Sequence, residues 1–353
     1  MRRWWWLFLL LALFVTACQS ATPTPEPTPV PPTPTAIPAP TDTPQPTATP
    51  APTATPTPAV SLTDDLGQRI ELAQCPQRII SLAPSITESL FAIGAGDQVV
   101  GRDTNSKYPP EVEQVTDIGS LYQNLPLENM LALEPDLVVA AEIISQDQVE
   151  QMRKAGLTVF WQANPKDFEG LFANLRTLGQ LTCRTEEAET LVAQLQARVE
   201  AVVQAVAEVE ARPLVFYELD ATDPANPWTS GPDTFIDYAI QAAGGVNLGG
   251  EVLDTPWAQI SVEKLLELDP DIILLADAPY GVTPESVAQR AGWAALKAVQ
   301  EGRVYPFDPN LLSVPGPRLV DGLETLAVLF HPDRFCAQLP ERVDANLAAL
   351  ACP

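Results

Sequence analysis

Histidine is almost missing from this chain: His331 is the only one in 353 residues. A single imidazole excludes a binder that grips zinc through several histidines. His331 stands directly before Pro332, where helix termination explains it better than general-base chemistry does. Basic residues are scarce as well, with 20 Lys and Arg against 45 Asp and Glu, a net charge of −25 and an isoelectric point near 4.2. Nucleic acid demands basic patches, so that partner is excluded, and a strongly anionic ligand is disfavoured. Gly-x-Ser-x-Gly, a phosphate-cradling Gly-rich loop and Cys-x-x-Cys are all absent, so the sequence offers little to an enzyme and no catalytic residue, metal or cofactor is expected.

What is abundant is proline, 37 residues, 15 of them concentrated between Gln19 and Ala59. The chain opens Met-Arg-Arg, runs without charge from Trp4 to Val15 and reaches Thr16-Ala17-Cys18. A basic start, a short apolar run and small residues form a secretory signal, too short to span a membrane as a mature helix. Its Val-Thr-Ala-Cys ending resembles a bacterial lipobox, which implies cleavage before Cys18 and a lipid on that sulfur. From Gln19 to Ala59 the chain is mostly Pro, Thr and Ala, with only Glu26 and Asp42 charged. Such a segment buries no core, and at roughly 3.1 Å per residue it reaches on the order of 100 Å. The expected product is a body tethered on the outer side of the cell membrane through its lipid alone.

The folded remainder says one thing twice. Leu127-Glu-Asn-Met-Leu-Ala-Leu-Glu-Pro-Asp-Leu-Val-Val-Ala140 returns as Val262-Glu-Lys-Leu-Leu-Glu-Leu-Asp-Pro-Asp-Ile-Ile-Leu-Leu275. Each copy is a short helix, a turn that proline enforces, and an apolar strand buried on both faces. Two α/β lobes with parallel sheets follow from this. Thr185 to Ala211, free of Pro and Gly, predicts a helix of about 40 Å that joins the lobes as a stiff strut. The expected domains are 1–17 signal peptide, 18–59 lipid anchor and linker, 60–183 first lobe, 184–212 interdomain helix and 213–353 second lobe.

Within the first lobe, Ser61 to Glu71 reads as a hairpin arm and Arg78 to Leu82 as a strand. Ser85 is the expected N-cap of the next helix, with Glu88 completing a capping box. Asp103 to Pro110 and Ile118 to Pro126 read as loops carrying Tyr108 and Tyr122; ligands of open α/β sheets bind in the crevice at the carboxyl ends of the strands. Cys75, Cys183, Cys336 and Cys352 are an even number in an exported chain and suggest two disulfides, with three connectivities open. Cys75–Cys183 with Cys336–Cys352 is preferred: the first joins the start of the first strand to the end of that lobe's last helix, and the second closes a short C-terminal loop.

Taken together, Arg-Ile-Ile-Ser-Leu-Ala-Pro-Ser-Ile-Thr-Glu (78–88), Tyr-Pro-Pro (108–110), the first repeat, Trp-Thr-Ser-Gly (228–231), the second repeat and Gly-Pro-Arg (316–318) resemble the periplasmic-binding family of ABC importers for cobalamin and ferric siderophores. The resemblance covers about residues 76 to 335 and implies two Rossmann-like lobes joined by one rigid helix, a shallow cleft, and delivery of a large metal chelate to a permease dimer with its ATPase subunits by a monomeric binder. It also implies that Glu128 and Glu263, one per lobe, dock on the two permease subunits; the bland alternative is that each merely complements its helix N-terminus. Tyr108, Tyr122, Trp257, Asn310 and Arg318 stand at ligand-lining positions and favour the cobalamin subgroup, with a ferric siderophore or haem as the rival. Two positions depart from that subgroup: Ala141 replaces an aromatic and Asn310 an aspartate. Core packing weighs as much as ligand contact for Trp161 and Trp228, and for Arg318 the alternative to ligand contact is an ion pair with Asp308 or Asp321.

Overall fold

The computed structural model describes residues 58–353 apart from Gln123, Glu341 and Pro353. The signal, Cys18 and nearly all of the Pro/Thr linker lie outside the described residues. The described residues belong to one compact unit. It opens with the expected hairpin, β1 (Val60–Thr63) antiparallel to β2 (Arg69–Leu72), whose turn is closed by the Asp64 carboxylate accepting the N–H groups of Leu66 and Gln68.

The first lobe is a parallel sheet of β3 (Ile79–Ser81), β4 (Val99–Asp103), β5 (Thr116–Gly119), β6 (Leu137–Ala141) and β7 (Val159–Gln162) in the order β5-β4-β3-β6-β7. Its helices are α1 (Pro84–Ala92), α2 (Leu127–Ala132), α3 (Gln146–Lys154) and α4 (Phe168–Thr182). Alternate residues of one strand feed two different cores: Leu137 and Val139 face one apolar cluster, Val138 and Ala140 the other. That two-sided burial is what an unbroken apolar run demands. Strand β5 falls partly in a stretch expected to be loop; only Ile118 of its four residues is buried, so an edge strand left almost no periodic signal.

Helix α5 (Thr185–Val206) leaves the first lobe and ends five residues short of the expected Ala211. Glu208 and Glu210 would have faced the negative end of the helix dipole, and Pro213 biases Arg212 away from helical backbone. The remaining 22 residues span about 33 Å. Ala188, Val192 and Leu195 near one end and Val202 and Val206 near the other belong to a single apolar cluster that also holds Phe172 of the first lobe and Phe330 of the second. The strut is therefore packed along its length rather than free.

The second lobe repeats the plan with β8 (Leu214–Glu218), β10 (Val246–Asn247), β12 (Ile272–Leu275) and β13 (Val304–Pro306), ordered β10-β8-β12-β13 and all parallel. A separate antiparallel ribbon pairs β9 (Trp228–Ser230) with β11 (Trp257–Gln259). The helices are α6 (Phe235–Ala242), α7 (Leu248–Val252), α8 (Val262–Leu268), α9 (Pro284–Ala288), α10 (Lys297–Gln300), α11 (Leu319–Phe330), α12 (Pro332–Phe335) and α13 (Ala345–Ala351). Strand β8 holds the place of β3 and β12 that of β6, so the two sequence repeats occupy equivalent sites. Even their turns match: Glu134 and Asp269, each before the proline, both take left-handed backbone, with φ of 44° and 47°.

Both preferred disulfides are present, Cys75–Cys183 with Cα atoms 5.8 Å apart and Cys336–Cys352 with 5.5 Å. The first fastens the segment before β3 to the turn between α4 and α5. His331 ends α11 and precedes Pro332 of α12, as the sequence implied, and is buried against Gly244, where a Cβ would fall 2.6 Å from Nε2.

Candidate functional site: the cleft between the lobes

The loops beyond the carboxyl ends of β3 and β13 touch. Helix α1 starts directly after β3 with Pro84 at its first position and Ala83 as N-cap, and no side chain caps it. This overturns the expected Ser85–Glu88 capping box. Proline at the first helical position needs no N–H partner, so the chain turns from strand to helix before Ser85 is reached. Glu88 instead points across to the second lobe. One carboxylate oxygen accepts the backbone N–H of Arg318 and the other accepts its Nε, both at 2.8 Å. Glu88, and not Asp308 or Asp321, is thus the partner of Arg318. A charge-assisted pair of donors outcompetes one backbone cap.

The pair is packed tightly. Glu88 is 2% exposed, and a Cβ on Gly316 would come 3.2 Å from its carboxylate, so the Gly-Pro-Arg loop needs its glycine for close approach. Burial raises the Glu88 carboxyl pKa, with the Arg318 guanidinium pulling the other way. On its other side the guanidinium lies 3.8 Å from the centre of the Tyr108 ring, a cation–π contact. Two of the five expected ligand residues, Tyr108 and Arg318, are therefore brought together, through a glutamate assigned a different task in the sequence reading.

Tyr108 and Arg318 also line a cavity of about 700 Å³. Glu88 and Phe91 of α1, Leu195 and Arg198 of α5, and Asp321 of α11 complete much of its wall. Arg198 is matched by two carboxylates, Asp321 at 2.5 Å and Glu324 at 2.7 Å, and ties the strut to α11. On another face of α1 a narrow crevice is bounded by Ser85, Ser89, Ala141, Gln162 and Pro315. Ala141 thus stands at the contact line between the lobes, where its small side chain leaves room.

Tyr122, Trp257 and Asn310 do not line the 700 Å³ cavity. Tyr122 follows β5 and is 75% exposed; Trp257 is 43% exposed with its ring 6.0 Å from Phe235. Asn310 donates its amide to Asp308 at 2.7 Å in the segment after β13. Trp228, also 43% exposed, shares the β9–β11 ribbon with Trp257, set diagonally across it on the same face. Trp161 is core, with its indole N–H bonded to the Ile144 carbonyl. Exposed aromatics cost solvation, and five of them, Tyr108, Tyr122, Trp228, Trp257 and Tyr280, follow the carboxyl ends of sheet strands or lie on that ribbon. Glu128 and Glu263 occupy the first turns of α2 and α8, equivalent helices, and both side chains are exposed without an ion pair among the described residues.

One group escaped sequence reasoning. At the end of β8 the Glu218 carboxylate is fully buried, held by Arg290 through bonds of 2.6 and 2.9 Å, with Asp277 beside it. Burial pushes the Glu218 carboxyl up to about 7 against the opposing pull of Arg290. Arg290 stacks 4.6 Å from Trp293, and Asp277 accepts the N–H of Ala221. The cluster fixes the loop that leads to Trp228.

Residues 79–311 match the periplasmic binding protein family. The chain is 33% identical over 281 residues to an uncharacterized ABC transporter substrate-binding lipoprotein, YvrC, of Bacillus subtilis, covering 78% of this chain and 87% of that protein. A cobalamin-binding protein of Halobacterium salinarum is 32% identical over 283 residues, covering 77% and 74%. Among solved structures, the periplasmic heme-binding protein RhuT from Roseiflexus sp. RS-1 in apo form superposes with a TM-score of 0.66 at 29% identity, covering 72% of this chain and 98% of that one.

Proposed function

The chain belongs to the periplasmic binding protein family, and from that premise we propose that its cleft captures a corrinoid of the cobalamin type for an ABC importer. It is the extracytoplasmic substrate-binding component of such an importer, a transport component and not an enzyme. The observation that carries the corrinoid reading is the character of the cleft: exposed aromatics on the loops after the sheet strands, and Arg198 and Arg318 already matched by carboxylates. A corrin is broad, apolar at its edges and rimmed with amides, so aromatic faces and neutral polar groups suit it. The cobalamin-binding relative of Halobacterium salinarum supports the same reading.

Haem is the second reading, favoured by the likeness to RhuT and by the exposed phenol of Tyr122, a group able to ligate haem iron. Tyr108 suits that role less, since Arg318 covers its ring.

Handover falls to Glu128 and Glu263. Two equivalent carboxylates on a pseudo-symmetric body complement basic pockets on a two-fold permease that carries its ATPase subunits. In this reading the protein works as a monomer held to the membrane by lipid on Cys18, and the 18–59 segment sets its reach.

Calorimetric titration with cyanocobalamin, haemin and a ferric catecholate tests the ligand. The expected result is a micromolar or tighter corrinoid complex with weaker binding of the others. Tight haemin binding with no corrinoid heat would replace the first reading by the second.

A further inference from the structure

We infer that Glu88 converts Arg318 into a charge-neutral hydrogen-bond donor, so that the cleft selects chelates presenting amide or ester carbonyls over those presenting carboxylates. The inference rests on the reading of this cleft as a chelate site and names what its polar wall prefers.

Arg318 is immobilised on two sides. Its backbone N–H and Nε are taken by Glu88, and its guanidinium lies flat on the Tyr108 ring. Nη1 and Nη2 have no protein acceptor among the described residues, although Arg318 lines the 700 Å³ cavity. Those two nitrogens are the donors left for a ligand. Both Glu88 oxygens accept hydrogen bonds from Arg318, the arrangement an ionised carboxylate makes, and in that state its charge offsets that of the guanidinium it holds.

The rest of the wall adds no surplus of positive charge. Glu88, Glu111 and Asp321 balance Arg198, Arg318 and Arg342. Behind Arg198, Glu324 contributes one carboxylate more. A ligand carboxylate placed against Arg318 loses its hydration and meets a guanidinium whose charge Glu88 already offsets, which is costly, while Arg342 is exposed and its charge is screened by water. A carbonyl loses far less and still gains fixed, pre-oriented donors. An unpaired arginine at the same place would have the opposite preference.

The test uses ligand pairs that differ chiefly in charge: cyanocobalamin against the monocarboxylic acids made by hydrolysing one propionamide, and haemin dimethyl ester against haemin. Wild-type protein should bind the neutral member of a pair more tightly. Glu88→Gln keeps an acceptor for the Arg318 N–H but uncovers the positive charge, and should move the affinity ratio toward the acid by about tenfold or more. The double variant Glu88→Gln/Arg318→Gln should restore the wild-type ratio while weakening both members. A ratio unmoved by Glu88→Gln in a protein that still melts cooperatively, or a wild-type preference for the acid, overturns the inference. Should the variants fail to fold, the wild-type ratio decides alone. Preference for the neutral porphyrin without corrinoid binding would keep this inference and sink the corrinoid reading, whereas binding of neither pair would sink both.

Discussion

Asp136 and Asp271 perform the same task in the two lobes. Each is the aspartate after the proline of its repeat, and each reaches sideways to the start of the neighbouring central strand. Asp136 accepts the N–H groups of Gln77 and Arg78 ahead of β3, and Asp271 accepts that of Leu214 at the start of β8. The duplication therefore preserves a hydrogen bond as well as an apolar pattern. Replacing either aspartate by alanine should destabilise the protein by about 1 kcal/mol, since a partly exposed carboxylate loses a charge-assisted bond. Urea denaturation measures this, and a loss for one site with none for the other would break the equivalence.

Arg198 carries a heavier consequence. It sits on the strut between Asp321 and Glu324, which are 13% and 5% exposed. Arg198→Met removes the only cation bonded to these two mostly buried carboxylates among the described residues, a change that typically costs about 3–5 kcal/mol. The denaturation midpoint should fall accordingly. Restoration by adding Asp321→Asn and Glu324→Gln would identify the stranded charges as the cause.

Much of this was legible in the sequence, and the limits have physical reasons. The repeats, the parallel sheets and the strut showed through because periodic apolar burial and proline breaks leave local signatures. The disulfide pairing followed from which ends of a lobe lie together. What stayed hidden were contacts between residues far apart in the chain. Glu88 carried a plausible local task as a capping-box partner, and nothing nearby indicated that Arg318 would take it instead. Glu218 and Arg290 meet only after β8 and the segment following β12 have folded, so their pairing has no local signal at all. For Tyr122, Trp257 and Asn310 the resemblance supplied positions, and the fold leaves the two aromatics exposed and outside the 700 Å³ cavity.

Acidity should test the Glu218 cluster. Its carboxyl pKa of about 7 lies above the usual 4.5 because the group is buried. Between those values the folded state binds more protons than the unfolded state, so stability falls as pH rises through that window, by up to about 1.4 kcal/mol per pH unit. The contribution is fully present below about 4.5 and is lost by the time pH exceeds about 7. Glu218→Gln should flatten the dependence of unfolding free energy on pH between 5 and 7, whereas an unchanged slope would assign it to other groups.

The Cys75–Cys183 bridge spans a sequence separation of 108 and Cys336–Cys352 one of 16. Chain-entropy arguments give the longer loop about 4–5 kcal/mol and the shorter about 3. Replacing Cys75 and Cys183 together by serine should therefore lower the thermal midpoint more than replacing Cys336 and Cys352. The reverse order would show that the C-terminal turn, packed on α11, matters more than the root of the strut.

The most direct measurement is ATP hydrolysis by the partner permease in proteoliposomes, with chelate-loaded protein added as wild type or as the Glu128→Arg/Glu263→Arg double variant. A binder that hands over its cargo through two equivalent carboxylates should stimulate hydrolysis as wild type. The double variant should retain chelate affinity and fail to stimulate. Equal stimulation by both proteins, or none by the loaded wild type, would contradict the account.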